Sequence, residues 1–328
     1  MALLLQFLLL SAGLFGLWKS AEYAVENAIG VSLSFGIERF SIGFFIFAIS
    51  TGLPEISSSI ISSVKDVPEL SVGNLMGASL VNMTLILGVV LLMAKKIQVE
   101  GDLKIQLYKT IGLILLIFIG TAISPSDNYL TGILLIVIYI GAAVWFQVGI
   151  PKKEVSKEIE ETEERVQQIE KKTTLPPRWD ASLKFIASLI FLFFSSWVTI
   201  HACTQIAVLT NINLTIIGAV LIALGTTFPE LSLEIQAIRK KEYDLAFGDI
   251  FGSSLLNVSL IMGLLTLLNP GLDLSFARKI LPFILFTTFW VLQNFIRKKP
   301  LGRVDGIIFI LVFVLYILWA LFLETGTA

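Results

Sequence analysis

The sequence has few charged residues. Asp, Glu, Lys and Arg make up 15% of its 328 residues, and the formal net charge at pH 7 is −1. Soluble globular domains carry about 25% charged residues, so this low charge, together with 55% hydrophobic residues, excludes an ordinary soluble domain. The near-neutral balance also supplies no basic surface for nucleic acid.

Cysteine and histidine occur once each, as Cys203 and His201. A single cysteine excludes an internal disulfide, and Cys203 is interpreted as a small core residue because its neighbours are apolar. With one histidine, no Gly-x-Ser-x-Gly motif and no intramembrane Asp pair, the chain lacks the acid–base groups of an intramembrane enzyme. His201 is interpreted as a polar helix residue, because the other half of the chain has no matching ligand. No organic cofactor is expected.

Long apolar segments dominate the sequence. Each is long enough to cross about 30 Å of hydrocarbon as a helix, so the predicted fold class is an all-α polytopic membrane protein with ten transmembrane helices. The first segment is interpreted as a spanning helix rather than a cleaved signal, because no basic residue precedes it. The predicted spans are 2–28, 40–64, 70–94, 105–123, 129–149, 181–209, 213–238, 243–268, 278–296 and 304–324.

One hydrophilic connection divides these spans into two groups of five. Residues 151–180 contain runs of Lys and Glu and are predicted to form a charged linker between a first repeat at 1–150 and a second at 181–328. Apart from Lys65, basic loop residues fall on one side of the predicted topology. The positive-inside rule makes that side, and the linker, cytoplasmic and places both termini outside. A monomer in a cell membrane is the expected form.

The most informative feature is a motif that occurs twice. Residues 42–55 read IGFFIFAISTGLPE, and residues 217–230 read IGAVLIALGTTFPE, at an offset of 175 positions. The same offset aligns GNLMGASLVN at 73–82 with GDIFGSSLLN at 248–257. Two ungapped matches at one offset indicate an internal duplication. Because each half has an odd number of spans, the halves are predicted to be inverted, with a binding site near the bilayer midplane.

Each copy of the motif brings oxygen ligands to membrane depth. A carboxylate there costs about 2.5–3.5 kcal/mol on insertion scales, so a cation, a proton or water must offset it. The proline before each glutamate removes a backbone donor and frees carbonyls in the preceding turn. Asparagine adds a neutral oxygen. The candidate ligands are Glu55, Glu230, Asn82, Asn257, Ser50, Thr51, Thr226 and Thr227.

An all-oxygen set of this kind suits a hard cation. Ca2+ takes 6–8 oxygen ligands in flexible geometry, and two carboxylates balance one divalent charge. Two Na+ or two protons would balance the same carboxylates on the return stroke. The residues therefore indicate transport of a divalent cation in exchange for Na+ or H+.

Other polar residues near the motifs have plainer interpretations. Glu234 lies one helical turn from Glu230, and a position near the cytoplasmic end beside Arg239 is favoured over a proton relay. Asp249 matches Asn74 and is interpreted as a secondary polar contact or a residue on a water-facing surface, in preference to a direct cation ligand. Five serines of the second span are interpreted as small helix-packing residues: Ser57, Ser58, Ser59, Ser62 and Ser63.

The two motifs resemble the α-repeats of the calcium/cation antiporter superfamily, and the resemblance covers nearly the whole chain. It implies exchange of Ca2+ for Na+ by alternating access, in which the first two helices of opposite halves slide over a rigid core. By this resemblance, Glu55 and Glu230 are the central cation ligands. The residues that would complete the Ca2+ and Na+ sites are Thr51, Asn82, Thr226, Thr227 and Ser253.

Three positions depart from the archaeal sodium/calcium exchanger pattern. Gly52 and Ala78 stand where small hydroxyl residues are common, which weakens one Na+ site. Asn257 stands where the second repeat often has Asp, leaving two central carboxylates as in proton/calcium exchangers, although those usually carry Gly-Asn-x-x-Glu. Both coupling ions stay open, with Na+ slightly favoured. A cation channel is disfavoured because channels are typically multi-subunit pores, whereas this chain contains its own inverted pair.

Overall fold

The computed structural model describes residues 2–34, 52–94, 96–99, 101–123, 129–147, 178–240 and 243–325. Nearly all of these residues are helical. The helices, numbered in chain order, are α1 (Ala2–Ser34), α2 (Leu53–Val64), α3 (Glu69–Ala94), α4 (Gly101–Ile123), α5 (Tyr129–Gln147), α6 (Arg178–Thr210), α7 (Leu214–Thr226), α8 (Phe228–Lys240), α9 (243–268), α10 (Phe276–Ile296) and α11 (Arg303–Thr325). Two short antiparallel strands, β1 (Lys96–Ile97) and β2 (Leu301–Gly302), join two loops.

The predicted class of polytopic helical membrane protein is confirmed. Within the described ranges, seven helices are long and apolar enough to cross a membrane, and Tyr129–Ala143 and Leu214–Thr226 are shorter apolar helices. The predicted span 40–64 is described only from residue 52, and the predicted span 213–238 is two helices rather than one. The long spans are Ala2–Ala24, Glu69–Ala94, Leu103–Ile123, Ser182–Thr210, Ala246–Leu268, Phe276–Ile296 and Arg303–Ala320.

Both motif glutamates lie just after the start of a helix with the same local backbone. Thr227 separates α7 from α8, with φ −82° and ψ −4°. Gly52 precedes α2 with a similar backbone, φ −93° and ψ −1°, and lies 175 positions before Thr227. The proline two residues later falls in the first turn of each helix, where its missing N–H removes no intrahelical hydrogen bond. The same helix start therefore occurs at the same place in both copies of the motif.

Two π-helical turns repeat at the same offset. One runs from Asn82 to Ile86 within α3, and the other from Asn257 to Ile261 within α9. Each begins at the asparagine of its motif. A π turn inserts one extra residue into a helical turn, and such turns are frequent at functional sites. The duplication seen in the sequence is thus also a duplication of local irregularities.

Helices α3 and α9 form the centre of the structure. Inside the protein, 83% of the α3 span and 78% of the α9 span are buried, against 22% for α1. The Ser79 hydroxyl lies 3.3 Å from the Ser254 carbonyl, and the Ser254 hydroxyl lies 3.5 Å from the Ser79 carbonyl. Each hydroxyl also donates a shorter hydrogen bond, of 2.9 Å or 2.7 Å, to a carbonyl of its own helix. These serines are 175 positions apart, so the contact is reciprocal between equivalent residues of the two halves.

Close helix packing surrounds this centre. Gly73 and Gly77 of α3 face α7 so closely that a Cβ at either position would overlap the backbone of Thr215 or Ala219. Small residues permit this approach between helices in membranes. Around the inner helices, α4 packs against α10, α5 against α9 and α11 against α3, while α1 lies along α6.

Candidate cation-binding site

Glu55 and Glu230 occupy the first turns of α2 and α8. Their exposed fractions are only 1% and 4%. A helix N-terminus carries partial positive charge from its unpaired N–H groups, which favours a carboxylate at this position. The two helix starts therefore place both acids in the interior, each at the end of a helix that stabilises its charge.

A polar residue from the opposite half lies beside each of the two glutamates. Thr226, of the second half, lies close to the Glu55 carboxylate, and Asn82, of the first half, lies close to Glu230. The Asn82 Nδ2 atom donates a hydrogen bond of 2.9 Å to Ser253 Oγ. The two acids are also near enough to interact electrostatically. The structure thus brings predicted residues of both halves into one cluster.

Several oxygens of this cluster have no hydrogen-bond donor among the described residues. They are both carboxylate oxygens of Glu55, Oε2 of Glu230 and Oδ1 of Asn82, and all are buried. Buried polar atoms without a partner are rare and costly. Carboxylate and amide oxygens are the ligands that hard cations such as Ca2+ prefer, so the donor set fits a cation that binds oxygen.

Asn257, at the start of the α9 π turn, is also buried, at 2% exposure. Its Nδ2 atom has no acceptor among the described residues, and rotation of the amide by half a turn would present its oxygen instead. No three His, Cys, Asp or Glu side chains converge into a metal cluster in the described part of the chain. A cation held here would therefore need amide and hydroxyl oxygens besides the carboxylates.

The two threonines of the second motif have different hydrogen bonds. Thr226 Oγ1 donates to Asn74 Oδ1 at 3.2 Å, and the Asn74 amide reaches Ser58 Oγ at 3.4 Å. Thr227 Oγ1 donates back to the Ala223 carbonyl at 2.8 Å, in the last turn of α7. Ser50 and Thr51, the equivalents in the first motif, lie outside the described residues.

Asn74 is a residue whose role the sequence analysis missed. It connects α3 to α7 through Thr226 and to α2 through Ser58. The match between Asn74 and Asp249 in the repeat is the sequence signal that could have indicated this role. Several of the serines interpreted as packing residues do contact other helices: Ser57 lies 2.7 Å from Ser196, and Ser62 lies 2.7 Å from Ser71, between hydroxyl oxygens.

Glu234 lies in a different environment from the one favoured by the sequence. It is buried, with 2% exposure, and its carboxyl group contacts Asp249 of α9, whereas Arg239 is exposed. The physical reason is helical periodicity. Four residues along a helix return to the Glu230 face, but five residues from Glu234 to Arg239 turn through roughly 140°.

The described contacts of His201 are with an aromatic side chain rather than with the acidic cluster. Its ring stacks on that of Trp197, with centroids 5.6 Å apart and planes 6° from parallel. The Nζ atom of Lys65 lies 4.2 Å from the centroid of the same Trp197 ring, a cation–π arrangement. These contacts agree with the interpretation of His201 as a polar helix residue.

Comparison with known families adds the decisive observation. The family described as sodium/calcium exchanger protein matches residues 5–148 and 181–322. The chain belongs to this family. The resemblance to the calcium/cation antiporter superfamily is thereby confirmed, and the matched ranges omit residues 149–180, where the sequence predicts the linker.

Relatives of known sequence align with almost the whole length of this chain. The inner membrane protein YrbG of Escherichia coli is 29% identical over 314 residues, covering 93% of this chain and 94% of its own. The sodium/calcium exchanger MaX1 of Methanosarcina acetivorans is 24% identical, with 95% and 97% covered. A solved structure of the sodium-calcium exchanger NCX_Mj, soaked with Na+ and Sr2+, has a TM-score of 0.61 at 20% identity, covering 96% of this chain and 98% of that chain. This structural likeness shows a shared fold.

Proposed function

We propose that this protein is a secondary-active antiporter that exchanges Ca2+ for Na+ across a cell membrane by alternating access. The observation that carries the proposal is the pair of buried glutamates, Glu55 and Glu230, from matching positions of the two halves. Three of their four carboxylate oxygens have no hydrogen-bond partner among the described residues. One Ca2+ neutralises two carboxylates. When Ca2+ leaves, Na+ neutralises the negative charge of these carboxylates. The membership of the chain in the sodium/calcium exchanger family supports the same ions.

The proposed ligands combine charged and neutral oxygens. The glutamates supply charge, the asparagine amides and the hydroxyls supply neutral oxygens, and the helix breaks supply free backbone carbonyls. Ca2+ needs 6–8 such oxygens. The proposed set is Glu55, Glu230, Asn82, Asn257, Thr226, Thr227 and Ser253, with Ser50 and Thr51 of the first motif.

We infer the architecture from the repeated features. The π turns at Asn82 and Asn257 and the helix starts after Gly52 and Thr227 recur at the offset of 175, and Ser79 contacts Ser254, its equivalent at the same offset. They support ten transmembrane helices in two inverted repeats, at 1–150 and 181–328, joined by a cytoplasmic linker at 151–180. In this topology both termini lie outside, and one chain holds a whole site, so a monomer suffices.

Proton/calcium exchange is the second candidate. Asn257 leaves the cluster with two central carboxylates, which two protons would neutralise after Ca2+ leaves. Gly52 and Ala78 also remove hydroxyls that a Na+ site would use. Na+ is preferred because the Leu-Pro-Glu and Phe-Pro-Glu motifs resemble those of the sodium/calcium exchangers.

The test is uptake of radiolabelled Ca2+ into proteoliposomes that contain the purified protein. One preparation carries an outward Na+ gradient at equal pH, and the other carries an outward proton gradient without Na+. The proposal predicts uptake in the first and background in the second. Uptake driven only by protons would transfer the function to the second candidate.

Isosteric variants identify the site in the same assay. Glu55→Gln and Glu230→Gln keep the shape of the side chain and remove its charge, so each is expected to reduce uptake to background. Glu22→Gln is the matched control, because it removes a carboxylate that is exposed on α1 and paired with Lys19. Full activity in either motif variant would contradict the proposed ligands.

A further inference from the structure

A second pair of acids lies one helical turn beyond the central cluster. Glu234 follows Glu230 by four positions and lies on the same face of α8, and its carboxyl group contacts that of Asp249 on α9. Glu234 is 2% exposed, whereas Asp249 is half-buried. Asp249 is also close enough to Glu230 for their charges to interact.

The equivalent positions in the other half are neutral. At the offset of 175, Glu234 matches Ser59, and Asp249 matches Asn74. Asn74 is satisfied there by hydrogen bonds with Ser58 and Thr226. The first half therefore needs no additional charge at this place, and the acidic pair is a feature of the second half alone.

Two carboxyl groups in contact inside the protein require a positive charge. If both were ionised they would repel one another strongly in a low-dielectric interior. Neither forms a salt bridge with a Lys or Arg among the described residues. In addition, Oε2 of Glu234 is buried and has no hydrogen-bond partner in the described part of the chain. The pair thus combines excess negative charge with a free acceptor oxygen.

We propose that Glu234 and Asp249 form a second binding site, which takes one small monovalent cation, Na+ or a proton. A proton bridges two carboxyl oxygens directly, while Na+ would take carboxylate oxygens together with water at Asp249, the less buried of the two acids. A divalent ion suits the pair less well, because it needs more ligands and no third acid completes a cluster among the described residues.

The role of this second site in transport rests on the proposed antiporter function. A monovalent cation held one turn from Glu230 adds one positive charge to the ions that the protein binds. If it moves with the transport cycle, it adds one counter-charge for each Ca2+. Binding itself can be measured without transport, so the two proposals can fail separately.

The binding test uses purified full-length protein. Saturation binding of radiolabelled Na+ counts Na+ sites, and infrared difference spectra report the carbonyl stretch of protonated carboxyl groups. The variants are Glu234→Gln with Asp249→Asn, and Glu234→Ser with Asp249→Asn, which reproduces the neutral pair of the first half. Glu22→Gln is again the control.

We expect the double variants to lose one bound Na+ per protein, or to lose a protonated-carboxyl band with the Na+ count unchanged. The first result identifies Na+ as the occupant, and the second identifies the proton. Unchanged values in both measurements, with folded variants, would overturn the site.

Transport supplies the second readout. In proteoliposomes with a set membrane potential, the variants should move one fewer counter-charge per Ca2+ and shift the reversal potential accordingly. If the wild-type protein transports no Ca2+, the proposed antiporter function is wrong. The second site would still be supported if the double variants bind one monovalent cation fewer than the wild type. An unchanged reversal potential would show that the cation stays bound through the cycle and would overturn its role as a counter-charge.

Discussion

Asn82 is the residue that joins the two halves of the cluster most directly. Its amide nitrogen donates to Ser253 Oγ at 2.9 Å, which leaves its oxygen, Oδ1, free of hydrogen bonds from the described residues. A fixed amide orientation matters because a cation is attracted only to the oxygen side. We therefore propose that Ser253 orients the Asn82 oxygen toward a bound cation, besides offering its own oxygen.

Removal of the Ser253 hydroxyl should weaken Ca2+ binding. In Ser253→Ala the Asn82 amide nitrogen loses its acceptor, and the amide is free to rotate. Residues that orient metal ligands typically contribute about 10–100-fold to affinity, and we expect a loss in that range in equilibrium binding of radiolabelled Ca2+. Ser11→Ala, which removes an exposed hydroxyl that bonds only within α1, is the control. Equal affinity in both variants would contradict this role.

A third central carboxylate should change the coupling. Asn257 is buried at 2% exposure and belongs to the proposed ligand set, and Asn257→Asp adds one negative charge without a change of shape. Ligand charge raises affinity for hard cations, and we expect about tenfold tighter Ca2+ binding, about 1.4 kcal/mol. The Na+ dependence of Ca2+ uptake should also steepen. A decrease in Ca2+ affinity would place Asn257 outside the cluster.

At the scale of helices, the irregular backbone before Glu230 was predictable from the proline that precedes this glutamate, because proline acts locally. The sequence did not predict the π turns at Asn82 and Asn257, since an inserted residue leaves no compositional signal and depends on packing between α3 and α9. It also misplaced Glu234, whose burial depends on the direction of a whole helix face. Local chemistry was therefore readable, and contacts between helices were not.

The α3–α7 contact supplies a test at this scale. A Cβ at Gly77 would overlap the backbone of Ala219, whereas a Cβ at Gly112 of α4 meets no described atom within 4 Å. Alanine normally favours a helix interior over glycine by about 0.5–1 kcal/mol. We expect Gly77→Ala to lower the thermal unfolding temperature of the detergent-purified protein and Gly112→Ala to leave it unchanged or raised. The reverse order would show that the helices do not approach as closely as described.

At the scale of the whole molecule, the proposed topology makes opposite loops accessible from opposite sides. The α9–α10 loop carries Asp273 and the α10–α11 loop carries Lys298, and both residues are exposed. In a background with Cys203→Ser, which removes the single cysteine, Asp273→Cys should react with a membrane-impermeant thiol reagent added outside cells. Lys298→Cys should react only after the membrane is permeabilised. The opposite labelling pattern would invert the topology.

In the proposed mechanism, Glu55 and Glu230 bind Ca2+ and a counter-ion alternately, so that Ca2+ moves only in exchange. The most direct measurement is efflux of radiolabelled Ca2+ from loaded proteoliposomes into buffers of equal pH that contain either Na+ or an inert organic cation. We predict rapid efflux into Na+, background efflux into the organic cation, and background in both buffers for Glu55→Gln. Efflux at the same rate without any exchangeable ion outside would contradict the account and identify a channel.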